Sequence, residues 1–173
     1  MILLFIIVII IIILNEIYEG ICRQYQRNKI YEMAEKHAKK LKKILVVVGD
    51  PYYGKGSKFY NIFMDGYKCG DKTVDLTGAP KCPNGIKNDL YNYLKTQESN
   101  SQIIFISCVL EYIDNIAETV EELYRVTGGP ENIFVVTVKE HSLAAYFYSE
   151  DDYSSKNLIY APPEYKKITW KKI

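Results

Sequence analysis

The pattern of apolar and polar residues between positions 101 and 138 predicts a strand, a helix and a second strand in succession. Residues 103–106 and 133–138 are short apolar runs of the kind that form buried parallel strands. Between them, apolar residues recur at helical spacing at Ile116, Val120, Leu123 and Tyr124. We expect Asp114 to cap this helix at its start and the glycine pair at 128–129 to end it. One strand–helix–strand unit predicts a parallel sheet.

Elsewhere the pattern predicts short strands joined by irregular segments. Ile44–Val48 is expected to be a buried strand, residues 73–76 a second, and residues 86–94 either a short strand or a turn of helix. Residues 49–72 contain five glycines and show no helical period, which predicts a long loop. Beyond residue 140 the pattern predicts a short helix and a last strand, at 142–148 and 168–172. The chain is expected to fold as an α/β domain with a mostly parallel sheet and helices on both faces.

Residues 1–14 carry no polar side chain, which predicts an N-terminal hydrophobic helix. As a helix this run is about 21 Å long, against about 30 Å for the hydrocarbon core of a bilayer. Extending it to residue 21 gives the needed length but includes Asn15, Glu16 and Glu19. An uncleaved, single-pass membrane anchor over residues 1–21 is the favoured interpretation, because the charged segment and cleavage site of a secretory signal are missing. A peripheral or self-associating hydrophobic tail is the alternative.

Charge is unevenly distributed along the 173 residues, whose net charge is +1. Residues 22–43 hold eight Lys or Arg against two Glu, with apolar residues at helical spacing, which predicts a basic amphipathic helix. Positive charge on the C-terminal side of an anchor predicts that the following domain, residues 44–173, faces the cytoplasm. A nucleic-acid-binding domain usually carries its basic patch on the folded part, so no nucleic-acid partner is expected.

The cysteines and histidines do not predict a metal site. Cys22, Cys69, Cys82 and Cys108 show no CxxC spacing, and the chain has only two histidines. In a cytoplasmic domain we expect all four thiols to be reduced.

The segment after the first predicted strand matches part of a phosphate-binding loop, with Gly49, Gly54 and Lys55 at GxxxxGK spacing. The position that needs Ser or Thr to hold Mg²⁺ is Gly56, and Ser57 comes one residue late. Neither strand of the strand–helix–strand unit ends in the Asp expected to hold the metal. The sequence therefore favours a flexible glycine loop over a nucleotide triphosphate site.

Polar residues follow the predicted strands where these end, at Gly49 and Asp50, at Asp75, at Asp89 and at 107–112. The carboxyl ends of parallel strands meet at one edge of a sheet, where α/β proteins bind their ligands. A carboxylate in the position of Asp75 is able to accept both hydroxyls of a ribose, as in dinucleotide-binding folds. Gly49 has no side chain to keep a ligand from the backbone. An Asp at a strand end is also a common turn former, so each residue alone is a weak indication.

Residues 107–129, SCVLEYIDNIAETVEELYRVTGG, resemble the signature of class I S-adenosylmethionine-dependent methyltransferases. In that family a strand leads into a turn of the type vLEH, which residues 110–112 match with Tyr in place of His. Residues 125–129 match the later RvLkpGG in a shortened form, and residues 73–76 and 88–90 resemble strand ends of compact members. The resemblance covers about residues 44–138. It implies a Rossmann-like fold, with reduced helices between the early strands as in compact members, and methyl transfer from S-adenosylmethionine.

The resemblance also implies a set of site residues: Gly49 and Asp50 at the methionine end of the cofactor, Asp75 at the ribose, Asp89 near the adenine, and Ser107 and Cys108 on the floor. Glu111 and His141 are the candidate bases, needed only if the methyl acceptor carries a proton. Each has a plainer interpretation. A Glu at the start of a helix is stabilised by the helix dipole, and a lone His is commonly a surface residue.

These observations favour a membrane-tethered S-adenosylmethionine-dependent methyltransferase whose acceptor, of unknown identity, lies at or near the membrane. Tyr52, Tyr53 and Tyr67 are candidates for the wall of its substrate pocket. The family's GxGxG after the first strand is absent here, so a catalytically inactive methyltransferase fold that binds a partner at the membrane is the alternative. A P-loop-like nucleotide-binding protein is a third and weaker alternative.

Overall fold

Five strands form a single all-parallel sheet in the computed structural model, which describes residues 2–52 and 67–136. In chain order the elements are α1 (Ile2–Leu41), β1 (Ile44–Val48), β2 (Lys72–Asp75), β3 (Gly85–Lys87), α2 (Leu90–Lys95), β4 (Gln102–Ser107), α3 (Ile116–Thr127) and β5 (Ile133–Val136). Short 3₁₀ turns precede α3 and β5, at Leu110–Tyr112 and Pro130–Asn132. The strands lie in the order β3-β2-β1-β4-β5. The prediction of an α/β domain built on a parallel sheet is confirmed.

Successive side chains of the central strands enter two different apolar layers, because neighbouring residues of a strand point to opposite faces of a sheet. Leu45 and Val47 of β1 pack with Phe105 of β4 and with α1 on one face. Val46 and Val48 pack with α2 and α3 on the other. Both faces of β1 are therefore covered, which is why this strand is apolar along its whole length.

Helix α1 crosses one face of the sheet antiparallel to the strands. Lys43, which follows the helix, donates its Nζ to a side-chain oxygen two residues before β4, at 2.6 Å. Farther back along the chain, the ring of Tyr31 lies edge-on against Phe105 in the middle of β4, with ring centroids 5.7 Å apart. Farther still, Arg27 Nη2 lies 2.8 Å from Cys108 Sγ, just after β4 ends. Followed toward its N-terminus, the helix thus passes from the amino ends of the strands to their carboxyl ends.

The expected boundary between an anchor and a basic helix, at residues 21 and 22, lies inside α1, which is continuous. In the C-terminal part of α1 the predicted apolar positions Ile30 and Ala38 are buried against the sheet. In its N-terminal part the side chains of residues 5–14 are exposed. Among the described residues, no helix combines the length and the apolar character that crossing a membrane requires.

Helix α3 ends as predicted but does not begin as predicted. Gly128 adopts the left-handed conformation, with φ +83°, and its N–H donates to the carbonyl four residues earlier at 2.9 Å. At the start, the carbonyl of Asn115 accepts the first helical hydrogen bond, from Thr119 N at 3.1 Å. Asn115 is therefore the N-cap and the prediction of Asp114 is wrong, because the preceding 3₁₀ turn delays the start of the helix.

Cys69 and Cys82 form a disulfide, with their Cα atoms 5.6 Å apart. Cys69 precedes β2 and Cys82 precedes β3, so the bond joins the connections that lead into two neighbouring strands. The expectation that these two thiols are reduced is wrong, because pairing of β2 with β3 sets both connections side by side. Cys108 is not part of a disulfide.

The predictions for the early connections and for the C-terminal segment have different outcomes. Residues 86–94 contain both a strand and the start of a helix, β3 and α2, where the sequence left the choice open. The connection 76–84 between β2 and β3 contains no helix, and most of the connection between β1 and β2 lies outside the described residues. The helix expected at 142–148 and the strand expected at 168–172 lie outside the described residues.

Candidate functional site

A cavity of about 560 Å³ opens at the carboxyl ends of β1, β2, β3 and β4. Its volume lies in the range of small-molecule sites, roughly 300–1,000 Å³. Most of its lining is apolar and comes from the strand ends and the turns that follow them: Val48, Val74, Leu90, Val109 and Ile113. Of the residues singled out in the sequence, Gly49, Asp75, Asp89 and Cys108 line this cavity together. The parallel topology thus brings together residues that are far apart in the chain.

Gly49 is required by the turn that follows β1. Its φ is +99°, a left-handed conformation that residues with a side chain disfavour, and its N–H donates to Val74 O at 2.9 Å. A Cβ at this position would lie 2.9 Å from Ser107 O and 3.3 Å from Val109 Cγ2. The turn after β1 therefore approaches the end of β4 closely, and only glycine fits there.

Asp75 ends β2 and is held by three hydrogen bonds. Its Oδ2 accepts from Asp50 N at 3.0 Å, and its Oδ1 accepts from Thr77 N at 2.7 Å and from Thr77 Oγ1 at 2.6 Å. A carboxylate has about four acceptor positions, so one remains for a ligand. The sequence predicted a residue able to accept both hydroxyls of a ribose. In the structure, Asp75 has one acceptor position left, which is enough for one ribose hydroxyl. A second position becomes available only if the Thr77 hydroxyl turns away.

Asp50 is buried beside the cavity and is not among the residues that line it. Its Oδ1 accepts from Tyr52 N at 2.8 Å, which forms a turn of the Asx type. Its backbone N–H is the donor to Asp75. Asp50 therefore acts on the site by holding Asp75 through its backbone N–H, while its side chain accepts the hydrogen bond of the turn.

Asp89 lines the cavity and also caps α2. Its Oδ1 accepts from Asn92 N at 2.9 Å, and Asn92 Nδ2 donates to the other carboxylate oxygen. The residue before it, Asn88, donates its N–H to Asp75 O at 3.2 Å and so joins the end of β3 to the end of β2. The hydrogen bonds of Asp89 are those of a helix cap, and they leave part of its acceptor capacity for a ligand.

Ser107 is the last residue of β4 and is buried. It hydrogen-bonds with the hydroxyl of Tyr67, whose ring packs on Phe105 with centroids 5.2 Å apart. Burial raises the pKa of Tyr67 to about 12, and the nearby charge of Arg27 and the hydrogen bond of Ser107 offset this only in part. Tyr67 is therefore a neutral hydrogen-bonding group at physiological pH, packed behind the end of β4 as part of the core.

Cys108 lines the cavity directly after β4 and has a φ of +52°, uncommon for a residue with a side chain. Its Sγ is 2.8 Å from Nη2 of Arg27. In the sequence, Arg27 stands out only as one of the charges of the basic helix, and its contact with the site was not predicted. Arg27 precedes the buried residues Ile30 and Tyr31 by three and four positions, which puts it on the packed face of α1. That spacing is the sequence signal that identifies it.

Of the two candidate bases, Glu111 lies in the 3₁₀ turn Leu110–Tyr112, whose Tyr112 lines the cavity. His141 lies outside the described residues, as do Tyr53 and the glycine–lysine part of the phosphate-loop motif at 54–55. Across the part of the chain that the structure describes, no three His, Cys, Asp or Glu side chains are grouped to hold a metal ion. An apolar cavity with carboxylate acceptors at its rim suits a flat, partly polar organic ligand.

Comparison with known proteins gives no match to a family model, to a curated protein or to a solved structure. A functional proposal for this chain therefore depends on the geometry of the cavity and on the residues that line it.

Proposed function

We propose that this protein is a membrane-attached, S-adenosylmethionine-dependent methyltransferase with a Rossmann-like fold. The observation that carries the proposal is the position of the cavity. β1 has β2 on one side and β4 on the other, and the cavity is lined by Gly49 after β1 and by Cys108 after β4. In open α/β sheets ligands bind outside the carboxyl ends of the strands at such a point, where the strand order reverses.

The residues at the cavity fit the proposed cofactor in three respects. Gly49 presents backbone without a side chain, Asp75 keeps one acceptor position for a ribose hydroxyl, and the apolar lining suits an adenine ring. When bound, the cofactor would supply a methyl group on a positively charged sulfur: a nucleophile on the acceptor would bond to the methyl carbon as the carbon–sulfur bond breaks, and S-adenosylhomocysteine would leave. The residues of this chain hold and align the two reactants and keep water away.

Residues 5–14 of α1 support the proposed attachment to a membrane, because they are apolar and exposed. A contiguous exposed apolar surface is typical of an interaction site. A domain confined to a membrane meets methyl acceptors that lie there. We therefore place the unknown acceptor of this proposal at the membrane surface.

Calorimetric titration of S-adenosylhomocysteine into the whole chain tests the cofactor. We expect saturable binding that Asp75→Asn weakens about tenfold, the effect of losing one hydrogen bond to a charged group. Asp71→Asn is the matched control. Asp71 also accepts a backbone N–H, from Leu45 at 2.7 Å, but it lies at the amino edge of the sheet. Absence of saturable binding up to millimolar ligand contradicts the proposal.

A methyltransferase fold without activity is the second candidate, and one observation favours it. The polar groups at the cavity already have partners within the protein, since Asp75 accepts three hydrogen bonds and Cys108 contacts Arg27. Transfer of a labelled methyl group from the cofactor to a membrane extract separates the two candidates. If Asp75→Asn abolishes labelling of the extract and Asp71→Asn retains it, the protein is an active enzyme. Cofactor binding without any transfer decides for the inactive fold.

A further inference from the structure

The N-terminal part of α1 is apolar on every side. Residues 5–14 are all Phe, Ile, Val or Leu, and the least exposed of them, Ile12, is still 38% exposed. A partner helix or a second copy of this chain buries one stripe of a helix, and helices that pair in this way keep polar residues on the opposite side. A helix without a polar side matches a hydrocarbon environment. Lipid is therefore the occupant that this segment fits.

The direction of α1 determines the edge of the domain from which this segment extends. Tyr31 contacts Phe105 in the middle of β4, and Arg27 contacts Cys108 beyond the carboxyl end of that strand. The helix continues from there to Ile2 without a break. At 1.5 Å per residue, positions 2–26 add about 37 Å. The apolar segment therefore projects past the carboxyl edge of the sheet, which is the edge that bears the cavity.

Exposed apolar side chains also lie around the mouth of the cavity. Outside α1, the large apolar residues that are exposed in the described part of the chain are Ile44, Tyr52, Leu76 and Tyr112. Three of these four follow the carboxyl ends of β1, β2 and β4. Leu76 is 70% exposed and Tyr112 is 57% exposed, and both line the cavity. Tyr is a residue that favours the interface between water and lipid, because its ring is apolar and its hydroxyl is polar.

We propose that the carboxyl edge of the sheet faces a lipid bilayer, with residues 5–14 inserted among the acyl chains and the mouth of the cavity turned toward the headgroups. The inference rests on the proposed membrane attachment and adds an orientation to it. In this orientation the cavity is directed at groups on the membrane surface. The amino edge of the sheet, with Ile44 and the end of α1, then faces away from the lipid.

Flotation of the whole chain with phosphatidylcholine vesicles measures the attachment. We expect binding, and we expect Ile9→Asp to weaken it about 100-fold, because a carboxylate in hydrocarbon is strongly disfavoured. Ile44→Asp is the matched control, an exposed Ile at the amino edge, and is expected to bind like the wild type. Absence of vesicle binding overturns both attachment and orientation. The proposal is also overturned if a second copy of the chain covers residues 5–14. In that case the protein forms oligomers without vesicles, the oligomers do not bind vesicles, and Ile9→Asp abolishes them.

Energy transfer to headgroup-labelled lipid measures the orientation. In a Cys22→Ser, Cys108→Ser background, a fluorophore on Tyr112→Cys reports the carboxyl edge and one on Glu98→Cys reports the amino edge; both native side chains are exposed. Because β4 separates the two positions by about 20 Å, we expect about twofold higher transfer from position 112. Equal or reversed efficiencies with intact vesicle binding overturn the orientation and leave the attachment standing. Neither measurement depends on methyl transfer.

Discussion

The backbone N–H of Asp50 donates to the carboxylate of Asp75 at 3.0 Å, and this bond ties the turn after β1 to the end of β2. Thr77 donates twice to the other carboxylate oxygen. The carboxylate is thereby held in one orientation at the wall of the cavity. The consequence is a smaller capacity for ligand, because three of about four acceptor positions are occupied.

Thr77→Ala tests this restriction. The substitution removes the hydroxyl donor and leaves the 2.7 Å bond from Thr77 N, so Oδ1 of Asp75 regains an acceptor position. We expect S-adenosylhomocysteine to bind about two- to tenfold tighter, the gain of one hydrogen bond worth about 0.5–1.5 kcal/mol. Thr96→Ala is the control, since it removes another exposed hydroxyl donor, to Tyr93 O, away from the cavity. Calorimetry that finds equal affinities for the two variants contradicts this account of Asp75.

Gly49→Ala is expected to weaken both the fold and the binding of ligand. The new Cβ meets Ser107 O at 2.9 Å in a backbone with φ +99°, so we expect the free energy of unfolding in urea to fall by about 1–3 kcal/mol. Gly128→Ala is the control, because it introduces a side chain at φ +83° at the end of α3, away from the cavity. It should destabilise the fold and leave the ligand affinity of the folded protein unchanged. Wild-type stability of Gly49→Ala excludes the close approach described here.

Local patterns made much of the fold predictable from the sequence. β1 and β4 are apolar because both faces of the sheet are covered, and a short run of that kind is typical of a buried parallel strand. Gly128 ends α3 because the chain there takes a left-handed conformation. Asp75 and Asp89 reach one edge because parallel strands place their carboxyl ends together.

Contacts between distant segments were not predictable. Arg27 and Cys108 meet across 81 positions of sequence, and Cys69 pairs with Cys82 only because two connections run side by side. The hydrogen bonds that occupy Asp75 depend on the turn after β1. Periodicity reports which side of an element is apolar, and it does not report which other element covers that side.

The stability of the protein is expected to fall between about pH 10 and pH 12 because of Tyr67. Burial raises the pKa of Tyr67 to about 12 in the folded protein, from an ordinary value of 10.0. The folded state then holds a proton that the unfolded chain releases. The stabilisation is complete below pH 10 and is lost as the pH rises through 12, by about 1.4 kcal/mol per pH unit for each such group.

Urea unfolding of Tyr67→Phe across this range isolates the contribution. The variant should lose part of the pH dependence, and the remainder should include Tyr31, whose pKa burial also raises to about 12. The same comparison between about pH 6 and pH 8 is the control, because Tyr67 is protonated there in both the folded and the unfolded state and the two proteins should show the same pH dependence. If the free energy of unfolding falls with pH equally steeply in Tyr67→Phe and in the wild type, Tyr67 is not buried in the way described.

The disulfide between Cys69 and Cys82 is expected to stabilise the fold. The two residues are 13 positions apart, and closing a loop of about 15 residues contributes about 3 kcal/mol to the free energy of unfolding. A reducing agent should therefore lower the unfolding midpoint of the wild type. It should have no further effect on Cys82→Ser, which lacks the bond, while Cys108→Ser should keep the sensitivity of the wild type. If the wild type has the same unfolding midpoint with and without reducing agent, Cys69 and Cys82 do not form a stabilising disulfide.

The same disulfide bears on the compartment that the domain occupies. The basic residues that follow the hydrophobic segment predict the cytoplasm, where thiols are kept reduced, whereas a bond between Cys69 and Cys82 is typical of an oxidising compartment. We expect the bond to be present in cells that are alkylated before lysis, so that mass spectrometry finds the Cys69 and Cys82 peptides linked and Cys108, which forms no disulfide, alkylated. Alkyl groups on both Cys69 and Cys82 would contradict a bond inside the cell and would agree with the reducing compartment that the basic residues predict.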